Sequence, residues 1–321
     1  MSTVYFLMQQ TFFFTIPLLL VALGGMFAER AGIVNIALEG KMLMGAFTGI
    51  FFINIMQESV PAISGHFLLV LALIVAAATG FIVAIFHAYA SINLNANQII
   101  SGVAINMFAP AFAVYIARAV AGGTQQVFFA NQFRIDRVPF FGNIPVIGPL
   151  FFQNTYFTTY MGFAILALST FLLYKTKFGL RLRACGEHPQ AADSVGVNVY
   201  KIRYAGVLLS GAFAGIGGLV FIIPTSVAFN ATVSGYGFLA LAVLIFGAWR
   251  PIRVMFAAFF FGLLQAIAAG YSGIETLRDL SIPMQFYQMM PFVVTLIVLA
   301  FTSKKSAAPK AVGQPYDKGT R

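Results

Sequence analysis

Apolar runs of about twenty residues recur from one end of the chain to the other, separated by short charged or glycine-rich connections. A run of that length suits a helix crossing the hydrocarbon core, where the backbone finds no water and must satisfy its polar groups within the helix. Nine segments fit: residues 10–28, 33–56, 67–86, 98–117, 157–174, 204–224, 229–249, 252–270 and 283–301. Only 9% of the residues are charged and 60% are hydrophobic, against about 25% and about 45–50% in soluble domains. So few charges cannot coat a water-facing surface, and the prediction is an all-α polytopic membrane protein. The membrane body spans 1–303. The first 28 residues carry no charged side chain and so lack the basic region of a cleavable signal; the first run is expected to be retained.

Two segments are irregular. Residues 33–56 hold Glu39, Gly40 and Lys41 inside an apolar stretch, and 229–249 opens on Ser234, Gly235, Tyr236 and Gly237. Broken or partly re-entrant helices are expected at both. Placing the loops near 29–41, 87–97, 175–203 and 250–253 on one side, with the tail from Lys304 onward, gives that side 15 of the 19 Lys and Arg, while the opposite face keeps Arg118, Arg134, Arg137 and Arg278 with balancing carboxylates. The rule that short cytoplasmic loops are positive puts the amino end outside and the carboxyl end inside. Nine crossings divide as four, one and four, which makes the two quartets inverted repeats. Gly24 and Gly25 in the first quartet echo Gly217 and Gly218 in the second, and Pro110 echoes Pro291. Glycine and proline are common in membrane helices, so chance remains the competing explanation of these short echoes.

Other chemistries find little support. A lone cysteine, Cys185, rules out an intramolecular disulfide, and His66, His87 and His188 match no ligand spacing. No phosphate-cradling GxxxxGK[ST] loop, HExxH pair or nucleophilic triad is present. Glu39 and Lys41 are the ionisable groups inside a run, and both are expected to snorkel to the cytoplasmic interface. The connection 120–156, aromatic and carrying three prolines, is expected to cap the outer face or to meet a partner. The tail 304–321 reads as a disordered cytoplasmic end near anionic headgroups.

The internal loop 175–203 is longer than a turn requires. After a basic leader come Gly186, Glu187, His188 and Pro189, then a short helical stretch from Gln190 to Ser194 that Gly196 ends. Such a helix offers a grip to a soluble motor subunit, and it equally suits an interfacial helix resting on headgroups.

These residues also carry a resemblance. The stretch GLRLRACGEHPQAADSVGVNVYKIRYAGVLLSGAFAGIGG (Gly179 to Gly218) resembles the ATPase-facing loop and following helix of permease subunits in bacterial ABC importers for branched-chain amino acids, ribose-type sugars and nucleosides. ERAGIVNIALEGKMLMGAF from Glu29, NANQIISGVAIN from Asn95 and SGYGFLALAVLIFGAWRP from Ser234 extend it over most of the chain. The branch it looks most similar to is the one served by basic membrane lipoproteins, whose substrates are mainly nucleosides. Gln98 departs from that pattern, since an acidic residue is expected there in many relatives.

The resemblance implies a non-catalytic permease subunit in the bacterial inner membrane, paired with a paralogous permease, a cytoplasmic ABC ATPase and an external substrate-binding lipoprotein. No cofactor is implied for this chain; ATP and Mg would be used by the ATPase. Gly186, Glu187, Pro189, Ala192 and Gly196 would transmit the ATPase's movement. Asn35, Glu39, Asn97, Gln98, Asn106 and Tyr236 are the candidates for a nucleoside path, because polar groups beside broken helices can meet a neutral solute at midplane depth. Each could instead be a bond between helices. A sugar or branched-chain amino acid permease of the same build, and a self-sufficient secondary transporter, are the alternative functions.

Overall fold

The computed structural model describes residues 2–60, 62–120, 123–273, 282–302 and 307–318. Arg278 and its acidic neighbours lie outside the described residues. The helices are α1 (Ser2–Arg30), α2 (Leu38–Ser59), α3 (Gly65–Ile92), α4 (Gln98–Val120), α5 (Phe157–Lys175), α6 (Lys177–Glu187), α7 (Pro189–Ser194), α8 (Val199–Thr225), α9 (Tyr236–Phe246), α10 (Pro251–Gly270) and α11 (Met284–Thr302). Among the described residues seven helices are long and apolar enough to cross a membrane, namely α1 to α5, α8 and α10, and α9 and α11 are shorter apolar ones. The chain is a polytopic all-α membrane protein.

The two segments expected to be irregular are where the backbone leaves the helix. Residues 31–37 turn without regular structure before α2 begins, and α9 is an 11-residue helix preceded by the loop 226–235. At 1.5 Å per residue α9 is about 16 Å long, roughly half of a hydrocarbon core of about 30 Å.

At the centre stand α1 and α8. The apolar stretch of α1 is wholly enclosed by protein, with α8, α9, α10 and α5 around it, and α8 packs in turn on α1, α2 and α3. The contact between α8 and its neighbours is backbone on backbone. A Cβ on Gly211 would strike the Gly80 carbonyl oxygen, one on Gly215 that of Ala76, and one on Gly218 that of Met42. These glycines recur at helical spacing along one face. In lipid, where burial alone gives no drive between helices, such small-residue seams supply close van der Waals packing.

The 120–156 connection caps one end of the bundle. Strands β1 (Val127–Phe128) and β2 (Arg134–Arg137) pair antiparallel with β4 (Ala228–Phe229) and β3 (Gln153–Tyr156) respectively. Gln57 of α2 exchanges two hydrogen bonds with the Ala130 backbone, at 2.8 and 2.9 Å, and Asn131 donates to the Ile223 carbonyl of α8 at 2.8 Å. Phe133 is buried beneath. At the opposite end lie α6, α7 and the tail.

That tail departs from expectation. Residues 307–318 are ordered against the bundle, with Ala311 and Tyr316 buried. Ala311 N–H donates to the Gly186 carbonyl at 2.8 Å and Gly313 N–H to the Gly32 carbonyl at 3.1 Å. The composition suggested a solvated end; what orders it is a set of partners distant in sequence, which composition cannot register.

Candidate functional site

Two assemblies arise from this fold, one inside the bundle and one at the end opposite the 120–156 cap. The first surrounds the irregular segment 31–37. An irregular backbone in a membrane needs partners for its amides and carbonyls, and side chains supply them. Gln98 Oε1 accepts from Val34 N–H at 2.7 Å, His87 Nε2 lies 3.0 Å from the Val34 carbonyl oxygen, and Asn106 donates to the Ile36 carbonyl at 2.9 Å while accepting from Gly40 N–H at 2.8 Å. Asn35 donates to Ser210 Oγ at 2.5 Å and accepts from Lys41 Nζ at 2.7 Å.

Glu39, in the first turn of α2, closes the assembly. Its carboxylate accepts from Gly235 N–H at 2.9 Å and Gly237 N–H at 2.6 Å, at the start of α9. A carboxylate there meets both unpaired amides and the positive end of the helix dipole. Tyr236, beside it, is buried with its ring 4.0 Å from that of Phe221, and its hydroxyl has no hydrogen-bond partner among the described residues.

Five of the six sequence-derived path residues, Asn35, Glu39, Gln98, Asn106 and Tyr236, thus lie at or beside the two helix breaks; Glu39 joins one to the other, while Asn35, Gln98 and Asn106 bond within or around the first. Asn97 does not join them: it is exposed and caps α4, accepting from Ile99 N–H at 2.9 Å and Ile100 N–H at 3.2 Å. Neither ionisable residue snorkels. Lys41 is fully buried, because Asn35 offers an acceptor inside the bundle, and Glu39 is held by α9. Ser210 and His87 were missed by sequence reasoning; His87, a histidine near the end of a 28-residue apolar helix, was the available signal.

The second assembly lies where α6 and α7 meet the carboxyl end of α1. Thr176 caps α6, accepting from Gly179 N–H at 3.1 Å, and Pro189 starts α7. Gly196, at φ +83°, takes the left-handed turn that ends the helix. A Cβ on Gly186 would collide with the Arg30 carbonyl oxygen, so α6 reaches the end of α1 at backbone contact. Glu187 Oε1 stands 3.9 Å from Arg30 Nη1, Arg30 being mostly buried and Glu187 partly exposed. Ala192 is buried with Cys185, Val199 and Tyr316. Burial pushes the Cys185 thiol up to about 11.

Arg30 reaches further. Its Nη2 and Nε donate to the Trp249 carbonyl at 2.9 and 3.2 Å, and Trp249 Nε1 donates to Glu29 Oε2 at 2.6 Å. The end of α1 is therefore fastened both to α6 and to the turn between α9 and α10. Sequence reasoning passed over Arg30 and Trp249, although a single tryptophan beside Arg250 and Pro251 was a usable sign.

All five loop residues chosen from the sequence fall in this assembly or on its rim. The leader expected to be merely basic is instead the helix α6, whose buried side is Gly179, Leu182, Cys185 and Gly186.

Comparison with known proteins gives the same direction. A family model described as the permease component of branched-chain amino acid transport systems matches residues 7–299. The chain is 42% identical to the guanosine ABC transporter permease protein NupQ of Bacillus subtilis, covering 97% of this chain and 96% of the relative. It is 39% identical to the nucleoside ABC transporter permease protein NupC of Lactococcus lactis, covering 99% and 98%. A more distant match is a second Bacillus subtilis protein, the guanosine ABC transporter permease protein NupP, 27% identical over 94% of this chain and 82% of the relative. With its bundle of long apolar helices and these matches, the chain belongs to this permease-component family and is a multi-pass, non-catalytic membrane subunit of an ABC transporter.

Proposed function

We propose that this subunit translocates nucleosides or similar small polar solutes across the bacterial inner membrane by alternating access, driven by ATP and Mg at a separate ATPase. The observation that carries the coupling is the backbone contact of Gly186 with Arg30. A push on α6 and α7 would reach the enclosed helix α1 there, with Glu187, Pro189, Ala192 and Gly196 shaping the pushed surface. The substrate class rests on the names of the relatives NupQ and NupC. An external binding lipoprotein would deliver the solute. NupP and NupQ, two related permeases of one organism, support pairing with a paralogous permease, the path running between the two.

The finer architecture is nine crossings in a 4+1+4 inverted repeat, amino end outside and carboxyl end inside. Its support is the pattern of neighbours. Exchanging α1–α4 for α8–α11 turns the packing of α8 on α2 and α3 into that of α1 on α9 and α10, and the α3–α4 contact into α10–α11. The tail also lies beside α6, on the side where Lys and Arg concentrate. In this reading Asn35, Glu39, Gln98 and Asn106 hold the shape of the path at the helix breaks, Tyr236 adds an aromatic wall, and Asn97 frames its inner mouth.

The test is uptake by the reconstituted assembly of both permeases, ATPase and lipoprotein. Labelled guanosine should enter with ATP and be displaced by other nucleosides, while Glu187→Gln and Pro189→Ala lower uptake without dissociating the ATPase. Displacement by glucose or leucine, or ion-driven uptake by this chain alone, would overturn the reading.

A further inference from the structure

At the inner end of the bundle, three elements that alternating access would have to move together are joined by one short segment. The turn after α1, the end of α6 and the first turns of α8 are separate in sequence, yet residues 307–318 touch all of them. Ala311 N–H donates to the carbonyl of Gly186 at the end of α6, and Gly313 N–H to that of Gly32 after α1. Arg203, near the start of α8, donates from Nη1 to the Gln314 carbonyl at 3.1 Å.

The segment has no helix or strand of its own, so its order comes from these contacts. Pro309 lies against Gly186, and Gly313 makes a turn at φ +80° that brings the chain past Val34. Tyr316 is buried, its ring edge-on to Tyr200 at 5.5 Å and under the Arg203 guanidinium at 5.7 Å. Arg203 is only 1% exposed, and its Nε and Nη2 have no hydrogen-bond partner among the described residues. A buried cation of this kind is costly unless acceptors cover it, and the carbonyl of Gln314 and the face of Tyr316 are what this segment brings to it.

We propose that residues 307–318 are a strap that clamps the α6–α7 platform to the inner ends of α1 and α8, so that the platform's movement is passed to both core helices as one body. The clamp rests on the reading of α6–α7 as the coupling platform. Without the strap, Arg203 becomes hydrated and the platform moves on the Gly186–Arg30 contact alone. ATP hydrolysis then continues while less solute crosses for each ATP spent.

Cys185, the single cysteine of the chain, is packed under Tyr316 and reports on the strap. In the full transporter in liposomes, maleimide labelling of Cys185 is followed by mass spectrometry of this chain, beside uptake and ATP hydrolysis. Tyr316→Ala, and a chain ending at Ser306, should label about tenfold faster, as expected when a local opening becomes permanent. ATP hydrolysed per solute should rise about fivefold, the lower end of ordinary coupling energies. Unchanged labelling, or faster labelling with unchanged ATP per solute, overturns the proposal. Should the variants fail to assemble, hydrogen exchange of the unaltered transporter decides: the amides of Ala311 and Gly313 should be protected, and exchange at the rate of a free chain overturns the strap. Failure of the platform reading itself would be told apart by Glu187→Gln with intact uptake while Cys185 shielding and amide protection stand.

Discussion

The carboxylate of Glu39 grips the amide of Gly237 at 2.6 Å, so the first turn of α2 and the first turn of α9 meet start to start through one side chain. Two helix beginnings, each positive, would repel without it. Glu39→Gln keeps the size but leaves one acceptor oxygen where there were two, so one amide loses its partner and faces an NH2, while the other exchanges a charge-assisted bond, worth about 1.5–3 kcal/mol, for a neutral one worth about 1 kcal/mol. The variant is expected to melt at a lower temperature in detergent and to transport more slowly, and Glu39→Ala to be worse in both. Thermal unfolding and uptake assays that match the parent protein would show that the junction holds by packing alone.

Lys41 behaves in the opposite sense. It is fully buried with Asn35 as its hydrogen-bond acceptor, and no carboxylate lies within ion-pair distance of it among the described residues. Replacing a whole buried ion pair by well-packed apolar residues is often neutral or stabilising by about 1–4 kcal/mol, and Lys41, which has no charged partner among the described residues, gives up only its bond to Asn35 Oδ1. Lys41→Met should therefore leave the melting temperature unchanged or raise it, and a clear fall in a thermal-shift measurement would contradict this account of Lys41.

The seam between α3 and α8 admits no side chain. A Cβ at Gly80 or Gly211 would collide with the backbone of the facing helix, which cannot turn aside as a side chain can. Gly211→Val should abolish the monodisperse peak in size-exclusion chromatography. Gly273→Ala, where nothing among the described residues lies within 4 Å, should leave it intact.

The thiol of Cys185 gives a pH dependence. Burial holds its folded pKa at about 11, above the ordinary 9.0. The folded protein keeps the proton between those values while the unfolded chain loses it, so this group's contribution to stability is whole below pH 9 and declines from there towards pH 11. Thiol labelling of the folded transporter should be slow at neutral pH and rise only across that window. A labelling rate that levels off by pH 9 would mean that the thiol is not shielded.

Much of this architecture was legible because lipid imposes a simple demand on sequence. Long apolar runs gave the helices, and Ser234–Gly235 marked the start of α9, whereas Glu39–Gly40–Lys41, which suggested a break, lie within the continuous helix α2 and the irregular backbone is the preceding 31–37. Pro189 and Gly196 likewise bracketed α7, where local stop and start chemistry decides the outcome. What escaped was nonlocal. Whether Lys41 reaches water or Asn35 depends on how far the segment 31–37 folds back, and no pattern around residue 41 records that. The charges of α6 concealed a helix whose packed side is small, and the partners that order Ala311 and Tyr316 lie over a hundred residues upstream. Asn97 looked like its neighbour Gln98 in sequence, but one caps a helix in the open and the other reaches into the bundle.

The enclosure of α1 bears on how the protein is made. This helix is the earliest of the described ones to leave the ribosome, while α8, α9 and α10, which finally surround it, are translated near the end. Until Val199 and the residues after it have been inserted, Thr11 and Thr15, both buried in the finished protein, have none of those helices to shelter against. A chain terminated before Val199 would therefore leave its most interior helix without α8, α9 and α10, the helices that supply most of its enclosure.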